Sequence, residues 1–222
     1  MVDLKNVKKM LLDSGKNKAK IEKAIAYLST AEPASKHNDV ELYTLVAKYL
    51  NAGTNLDGVN VILAGKNMGL ITFHGYMNKV KQLHKDVFFD VQLVRESDTF
   101  SFKKTSGKVE YSHEFGDPFT DKPIKGAYAV VKLNNETDDQ SLELLNIEDF
   151  NKMKSSSRSS STWNKWESEF WRKSVIKRAC KVYFAEEIAE LEKIDNDDYG
   201  LEDEKADTNT KNDIIANAKK SK

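Results

Sequence analysis

The sequence predicts an α+β fold: a mainly antiparallel, meandering sheet packed against helices, with an N-terminal helical segment, a long basic C-terminal helix and an acidic disordered tail. Three observations predict it. Apolar residues recur at helical spacing up to about Leu50, short runs rich in β-branched and aromatic residues take over from Val59, and helical periodicity returns after Ile147. The chain divides accordingly into residues 1–50, a helical segment for packing or oligomerisation, a core over 51–184, and an acidic tail over 185–222.

Within the first segment, Leu4, Val7, Met10 and Leu11, then Ile21, Ala24, Ile25 and Leu28, then Val40, Leu42, Leu45, Val46 and Leu50 mark three short helices. Breaks at Ser14-Gly15 and Glu32-Pro33 separate them. Strands are expected at Val59–Leu63 and Leu70–Phe73, followed by a helix over His74–His84. Further strands follow at Val87–Arg95, Thr99–Lys103, Lys108–Ser112 and Ala127–Leu133, with turns at Ser106-Gly107 and Gly116-Asp117-Pro118 and a last strand at Leu142–Leu145. Ile147–Met153 turns helical. The serine run Ser155–Ser161 reads either as a solvated linker or as a mobile loop whose hydroxyls and N–H groups fold over phosphates. Trp163–Phe184 then forms the longest helix, with Thr162 as its N-cap. From Glu186 the composition turns acidic and polar, so Asp195–Lys222 is expected to be disordered with at most a nascent helix near Ile214.

At 222 residues the chain can bury a core without disulfides or metal, and its one cysteine, Cys180, fits a reducing compartment. No run approaches the roughly 20 apolar residues of a membrane span, and Met1-Val2-Asp3-Leu4-Lys5 lacks the layout of a secretion signal. A cytoplasmic protein without a membrane partner is expected. The formal net charge is zero, but that average conceals polarity along the chain. Residues 182–222 hold twelve Asp and Glu against six Lys, a net of −6, so residues 1–181 carry +6.

The basic charge is densest at residues 151–181. Nine cations (Lys152, Lys154, Arg158, Lys165, Arg172, Lys173, Lys177, Arg178, Lys181) face only Glu167 and Glu169, a local net of +7. At about 100° per residue, Lys173, Lys177 and Lys181 climb one edge of the predicted helix, with Arg178 further round the same side. Trp171, Val175, Ile176, Ala179, Cys180, Val182 and Tyr183 cover the opposite face. The helix is therefore expected to pack on one side and present a cationic row on the other. Trp166 and Phe170 fall on the lysine edge. Aromatics interleaved with lysines suit a single strand, whose phosphates need cations and whose exposed bases stack on rings at roughly 1–3 kcal/mol each. The competing reading packs Trp163, Trp166 and Phe170 under a neighbouring loop or subunit. Arg172 lies in the apolar arc, where an unpaired charge is costly, so it requires a carboxylate partner or a place in the groove.

The same residues carry a family resemblance. Thr162-Trp163-Asn164-Lys165-Trp166-Glu167 through Arg172-Lys173-Ser174-Val175-Ile176-Lys177-Arg178 resembles the signature of the RecT family of phage recombinases. Gly126–Leu133 is similar to that family's central strand, Ile71–Val80 to its glycine-tyrosine helix entry, Val94–Phe102 to the following hairpin, and Asn55–Gly58 to a turn. The resemblance covers roughly residues 40–184, so that 51–184 becomes a DNA-binding annealing core. It implies an ATP-independent single-strand annealing protein without covalent chemistry, acting in phage homologous recombination as a ring or helical filament of identical subunits. Carried over by position, the implied DNA contacts are Lys79, Lys132, Lys154, Arg158, Arg172, Lys173, Lys177 and Arg178, with Trp163 and Trp166 shaping the groove, and Lys181 extends the row. Implied partners are single-stranded DNA and annealed duplex, together with a phage exonuclease and a host single-strand binding protein, in the cytoplasm of a bacterial host. No cofactor is implied, although Mg2+ is expected to influence DNA binding. Two departures stand out: Gln82-Leu83-His84 replaces the family's adjacent arginines, and the acidic tail matches no family motif.

Absences point the same way. No phosphate-binding GxxxxGK[ST] loop occurs, since Gly65-Lys66-Asn67-Met68-Gly69 has the wrong spacing, and His37, His74, His84 and His113 are scattered. Two rivals remain. A metal-dependent nuclease would need Asp90, Glu96, Asp98, Glu110 and Asp117 to converge, and a structural oligomer would set the basic helix against acidic neighbours.

Overall fold

The chain, described here from a computed structural model, is defined over residues 2–65, 68–105, 108–117, 119, 122–133, 140–157 and 160–199. Three helices open it: α1 (Leu4–Asp13), α2 (Lys18–Leu28) and, after a 3-10 turn over Glu32–Lys36, α3 (Asp39–Asn51). Each starts on a side chain that accepts a backbone N–H the helix cannot satisfy: Asp3 for Lys5, Asn17 for Lys20 and Asn38 for Glu41. At α3 Glu41 reciprocates, completing a capping box.

Two tyrosines tie this segment to the next hairpin, β1 (Val61–Gly65) with β2 (Met68–Ile71). The Tyr49 hydroxyl donates to the Gly69 carbonyl and accepts from the Gly69 N–H, both at 3.0 Å, and the Tyr27 hydroxyl accepts from the Leu63 N–H at 2.9 Å. Helix α4 (Phe73–Lys81) follows, capped by Thr72. Gly75 in its first turn has a steric cause. A Cβ there would lie 2.5 Å from the Asn60 carbonyl oxygen, so only glycine lets α4 approach the start of β1.

Strands β3 (Phe88–Arg95), β6 (Ile124–Lys132) and β7 (Gln140–Asn146) form an antiparallel sheet in the order β3–β6–β7. Between them β4 (Thr99–Thr105) and β5 (Lys108–Glu114) pair as a separate hairpin. Alternation divides the sheet's side chains. Phe89, Leu93, Ala127, Ala129, Val131 and Leu145 join the main core, while Val94, Tyr128 and Val130 form a second cluster with Phe100 and Tyr111 of the hairpin. Phe100 stacks on Tyr128 with centroids 5.0 Å apart. The α+β class and the antiparallel pairing agree with the sequence pattern.

Helix α5 (Ile147–Ser156), capped by Asn146, leads to α6 (Ser160–Lys165), α7 (Glu167–Tyr183) and α8 (Ala185–Tyr199). Three expectations are corrected here. The helix expected over Trp163–Phe184 is two helices, because Trp166 leaves helical geometry at φ −120° and ψ 33°, and Thr162 lies inside α6 instead of capping it. The described part of the serine run is no open linker. Ser155 and Ser156 hydroxyls donate back to the Lys152 carbonyl, and that of Ser157 to the Lys154 carbonyl, which closes α5. Residues 185–199 are helical and not a disordered tail, since Ile188, Leu191 and Ile194 bring a buried stripe onto the core. The expectation for the rest of that tail, Ile214 included, lies outside the described residues. One apolar core runs from Val7 to Ile194 through all of these elements except the β4–β5 hairpin, which packs on the second cluster.

Candidate nucleic-acid interface

Helix α7 lies between the sheet and α8, and its two sides carry different chemistry. Val175, Ile176, Ala179 and Cys180 are fully buried and continuous with the sheet's core face. The lysine edge faces α8. Lys173 is 5% exposed and its ammonium contacts the Asp195 carboxylate. Lys177 reaches Glu192 and Asp195, each at 3.5 Å, and donates to Asn196 at 3.1 Å, while Lys181 meets Glu192 at 2.8 Å. Tyr76 of α4 donates to the other Asp195 oxygen at 3.1 Å. Burial, and then the Asp195 charge, pushes that phenol well above its ordinary pKa. Asp195 thus joins α4, α7 and α8.

The expected solvent-facing cationic row is therefore corrected: α7 packs on both sides, and acidic α8 covers Lys173 and most of Lys177. The signal was present in the sequence. Glu192 and Asp195 are three apart, on the pitch of the four-residue lysine spacing, and Ile188, Leu191 and Ile194 give their helix an apolar side.

The aromatics are corrected in the same sense. Trp163 is 3% exposed and stacks on buried Phe170 at 4.2 Å, with Phe150 edge-on to Trp163 at 5.3 Å. Phe150 in turn lies flat on Trp171 at 4.0 Å. Trp166 is half-buried against this core, with the Lys165 ammonium 5.7 Å from its ring centre. These rings form a packed wall instead of an exposed stacking platform.

The remaining expected contacts disperse. Lys79 donates to the Ala52 carbonyl at 2.9 Å, capping the end of α3. Arg172 has its carboxylate, Glu169 at 3.7 Å, and lies over the Phe73 ring at 5.8 Å. Lys132 is half-buried at the end of β6, paired across to Phe88 and Gln140. Lys154 is half-buried in the last turn of α5, and Arg178 pairs with Asp149 at 3.0 Å. Arg158 lies outside the described residues.

What the fold does bring together is a slot of about 270 Å³ beside α7. It is lined by Met153 of α5, Trp163 and Phe170, by Lys177, Arg178 and Lys181 of α7, and by Asp195 and Asn196 of α8. Arg178 and Lys181 retain 38% and 54% side-chain exposure, so cationic groups remain open to solvent at its mouth. Met153, Ser174 and Asn196 escaped the sequence reading because nothing in their spacing connects α5, α7 and α8.

Among the described residues no group of three or more His, Cys, Asp or Glu side chains is placed to hold a metal, and no helix is long and apolar enough to cross a membrane. Asp98, one of the carboxylates considered for a nuclease, is occupied internally. It accepts from the N–H groups of Arg95 and Gly116 and lies 3.2 Å from His113. Burial drives the Cys180 thiol up to about 12, with Glu187 and Glu192 adding to the effect, which leaves it a packed and unreactive group.

No curated protein matches the chain. The RecT family does match, over residues 65–213, a span that holds the Gly75-Tyr76 helix entry, the three-stranded sheet and the whole α5–α8 assembly around the slot. By that match over most of its length, the chain belongs to the RecT family.

Proposed function

We propose that this protein binds single-stranded DNA along the cationic mouth of the slot beside α7 and anneals complementary strands without hydrolysing a nucleotide. Membership of the RecT family, whose proteins bind single-stranded DNA and anneal it in phage recombination, is the observation that carries this reading. The geometry favours one location. Arg178 and Lys181 are the exposed cations of α7, and Lys152 and Lys154 flank Met153 on the neighbouring α5. Exposed ion pairs such as Arg178–Asp149 contribute about 0–1 kcal/mol, so a phosphate can replace the carboxylate at little cost. Lys173 and Arg172 act on this surface from behind, by holding α8 and the first turns of α7 in place. Assembly of further copies into a ring or filament would align successive mouths along one strand, and an exonuclease and a single-strand binding protein would act on the same substrate.

Fluorescence anisotropy of a labelled single strand, with annealing of complementary oligonucleotides followed in the absence of ATP, tests this. Binding should weaken steeply with salt, the log–log slope falling by about 0.7 for each phosphate contact removed. Arg178→Ala with Lys181→Ala should lower both affinity and slope for every sequence alike, because phosphate contacts carry no base code. Absence of binding at low salt would refute the proposal.

A further inference from the structure

Helix α8 ends beside the slot, and the residues that follow it match the slot's chemistry. Asn196, in the last turns of α8, lines the slot and accepts from Lys177 at 3.1 Å, and the helix closes at Tyr199. Gly200 comes next. A glycine directly after a helix cap lets the chain reverse in left-handed geometry, and an apolar residue after that glycine packs back on the position three before the cap. With Tyr199 as the cap, the apolar residue is Leu201 and the position it meets is Asn196. Three consecutive carboxylates follow, Glu202-Asp203-Glu204. At about 270 Å³ the slot is below the roughly 300–1,000 Å³ of whole-ligand sites, so it has room for a side chain and not for a folded element. Its apolar lining of Met153, Trp163 and Phe170 adjoins Arg178 and Lys181, whose side chains are 38% and 54% exposed. Phosphates answer those cations and leave the apolar part unused.

We infer that residues 201–204 fold back along α7 of their own chain, with Leu201 in the slot against Met153 and Phe170, and Glu202 and Glu204 on Arg178 and Lys181. This fold-back rests on the annealing reading above and gives its site an internal competitor. The spacings agree. Glu202 and Glu204 are two residues apart, so in extended chain they point the same way at about 6.7 Å, while Arg178 and Lys181 are three apart on one helix, with about 5–6 Å between their β-carbons. The direction agrees as well. Lys181 and Lys177 meet Glu192, and Lys177 and Lys173 meet Asp195, so α8 runs antiparallel to α7. A chain that reverses after Tyr199 therefore heads toward Arg178 and Lys181. Exposed ion pairs are individually weak, but a tethered segment stays at high local concentration and occupies the site in the absence of a competitor. A single strand that also reaches Lys152 and Lys154 on α5 brings more charge than the segment holds and displaces it. The segment thus sets a threshold, refusing brief contacts and yielding to a strand that engages both helices.

Two measurements on the full-length protein test this. In the first, Ser174→Cys with Leu201→Cys places one thiol in the slot's lining and one on the segment, while the native Cys180 is buried and does not compete. Mild oxidation without DNA should link the two within one chain, since a disulfide needs α-carbons within about 7 Å. Mass spectrometry identifies the linked peptides, a non-reducing gel shows the chain still monomeric, and oligothymidylate bound beforehand should suppress the link. No link, or a link only between chains, would overturn the fold-back. In the second, Glu202→Gln with Glu204→Gln is compared with Asp207→Asn with Asp213→Asn, which removes the same charge from elsewhere in the tail. The first pair should raise affinity for a short oligothymidylate by about three- to tenfold, and the second should leave it unchanged. Leu201→Ser should raise it too, with every charge intact. Equal effects of the two pairs would reduce the tail to bulk charge and overturn the fold-back as well. Failure of the unmodified protein to bind oligothymidylate would instead overturn the annealing reading, and the link formed without DNA would still decide the fold-back.

Discussion

Lys173 and Lys181 sit two helical turns apart on one edge of α7, yet they do different work. Lys173 is enclosed between Asp195 and the Phe170 ring, whereas over half of the Lys181 side chain is in solvent. Breaking a buried pair leaves its partner's charge uncompensated, at a cost of about 3–5 kcal/mol. Lys173→Met should therefore destabilise the fold by up to that amount in urea denaturation, less the part that Lys177, 3.5 Å from Asp195, still compensates. Adding Asp195→Asn should recover much of it, because the amide removes the stranded charge and still accepts from Tyr76. A neutral single substitution would show that the pair contributes nothing. Cys180 gives a second check: with its thiol held near 12 by burial, thiol reagents at neutral pH should modify the protein only as it unfolds. The spacing of these side chains was legible in the sequence. Their partners were not, because Asp195 lies 22 residues beyond Lys173 and only the docking of α8 brings the two together.

At the scale of elements, α8 and the β4–β5 hairpin are held by contrasting means. Helix α8 is held by burial as well as charge: Ile188 and Leu191 are fully enclosed, so Leu191→Ala should cost about 2–5 kcal/mol in a denaturant melt. A cost within error of zero would mean that α8 is not docked in solution. The hairpin is anchored through Asp98. Burial alone would raise this carboxyl, but N–H donors from Arg95 and Gly116, together with His113, outweigh it and hold the pKa below the ordinary value. A lowered folded pKa stabilises the fold above the ordinary carboxylate range, and that contribution disappears as pH falls through the folded value. Amide protection in β4 and β5, taken relative to the intrinsic exchange rate at each pH, should accordingly fall below about pH 4. Asp98→Asn should exchange faster at neutral pH and lose that acid dependence. Strands and hairpins were readable from alternation and turn residues. The break at Trp166 was not, because no proline or glycine marks it and the packing of Trp163 on Phe170 imposes it.

For the whole molecule, the charge polarity seen in the sequence becomes an internal contact. The acidic C-terminal region begins with a helix laid along the basic one, so the two compensate each other over Lys173, Lys177 and Lys181, and the α7 cations most open to solvent are the ion-paired Arg178 and Lys181. Composition alone located the basic segment; it could not distinguish the lysine that α8 buries from the one it leaves half in solvent. The family match implies the broad activity, and the surface proposed for it is the part of α7 that α8 leaves open. Cryo-electron microscopy of the protein with a single-stranded oligonucleotide tests that assignment most directly. The account predicts a backbone crossing the mouth of the slot, its phosphates against Arg178 and Lys181. A strand bound to a surface remote from α7 would contradict it.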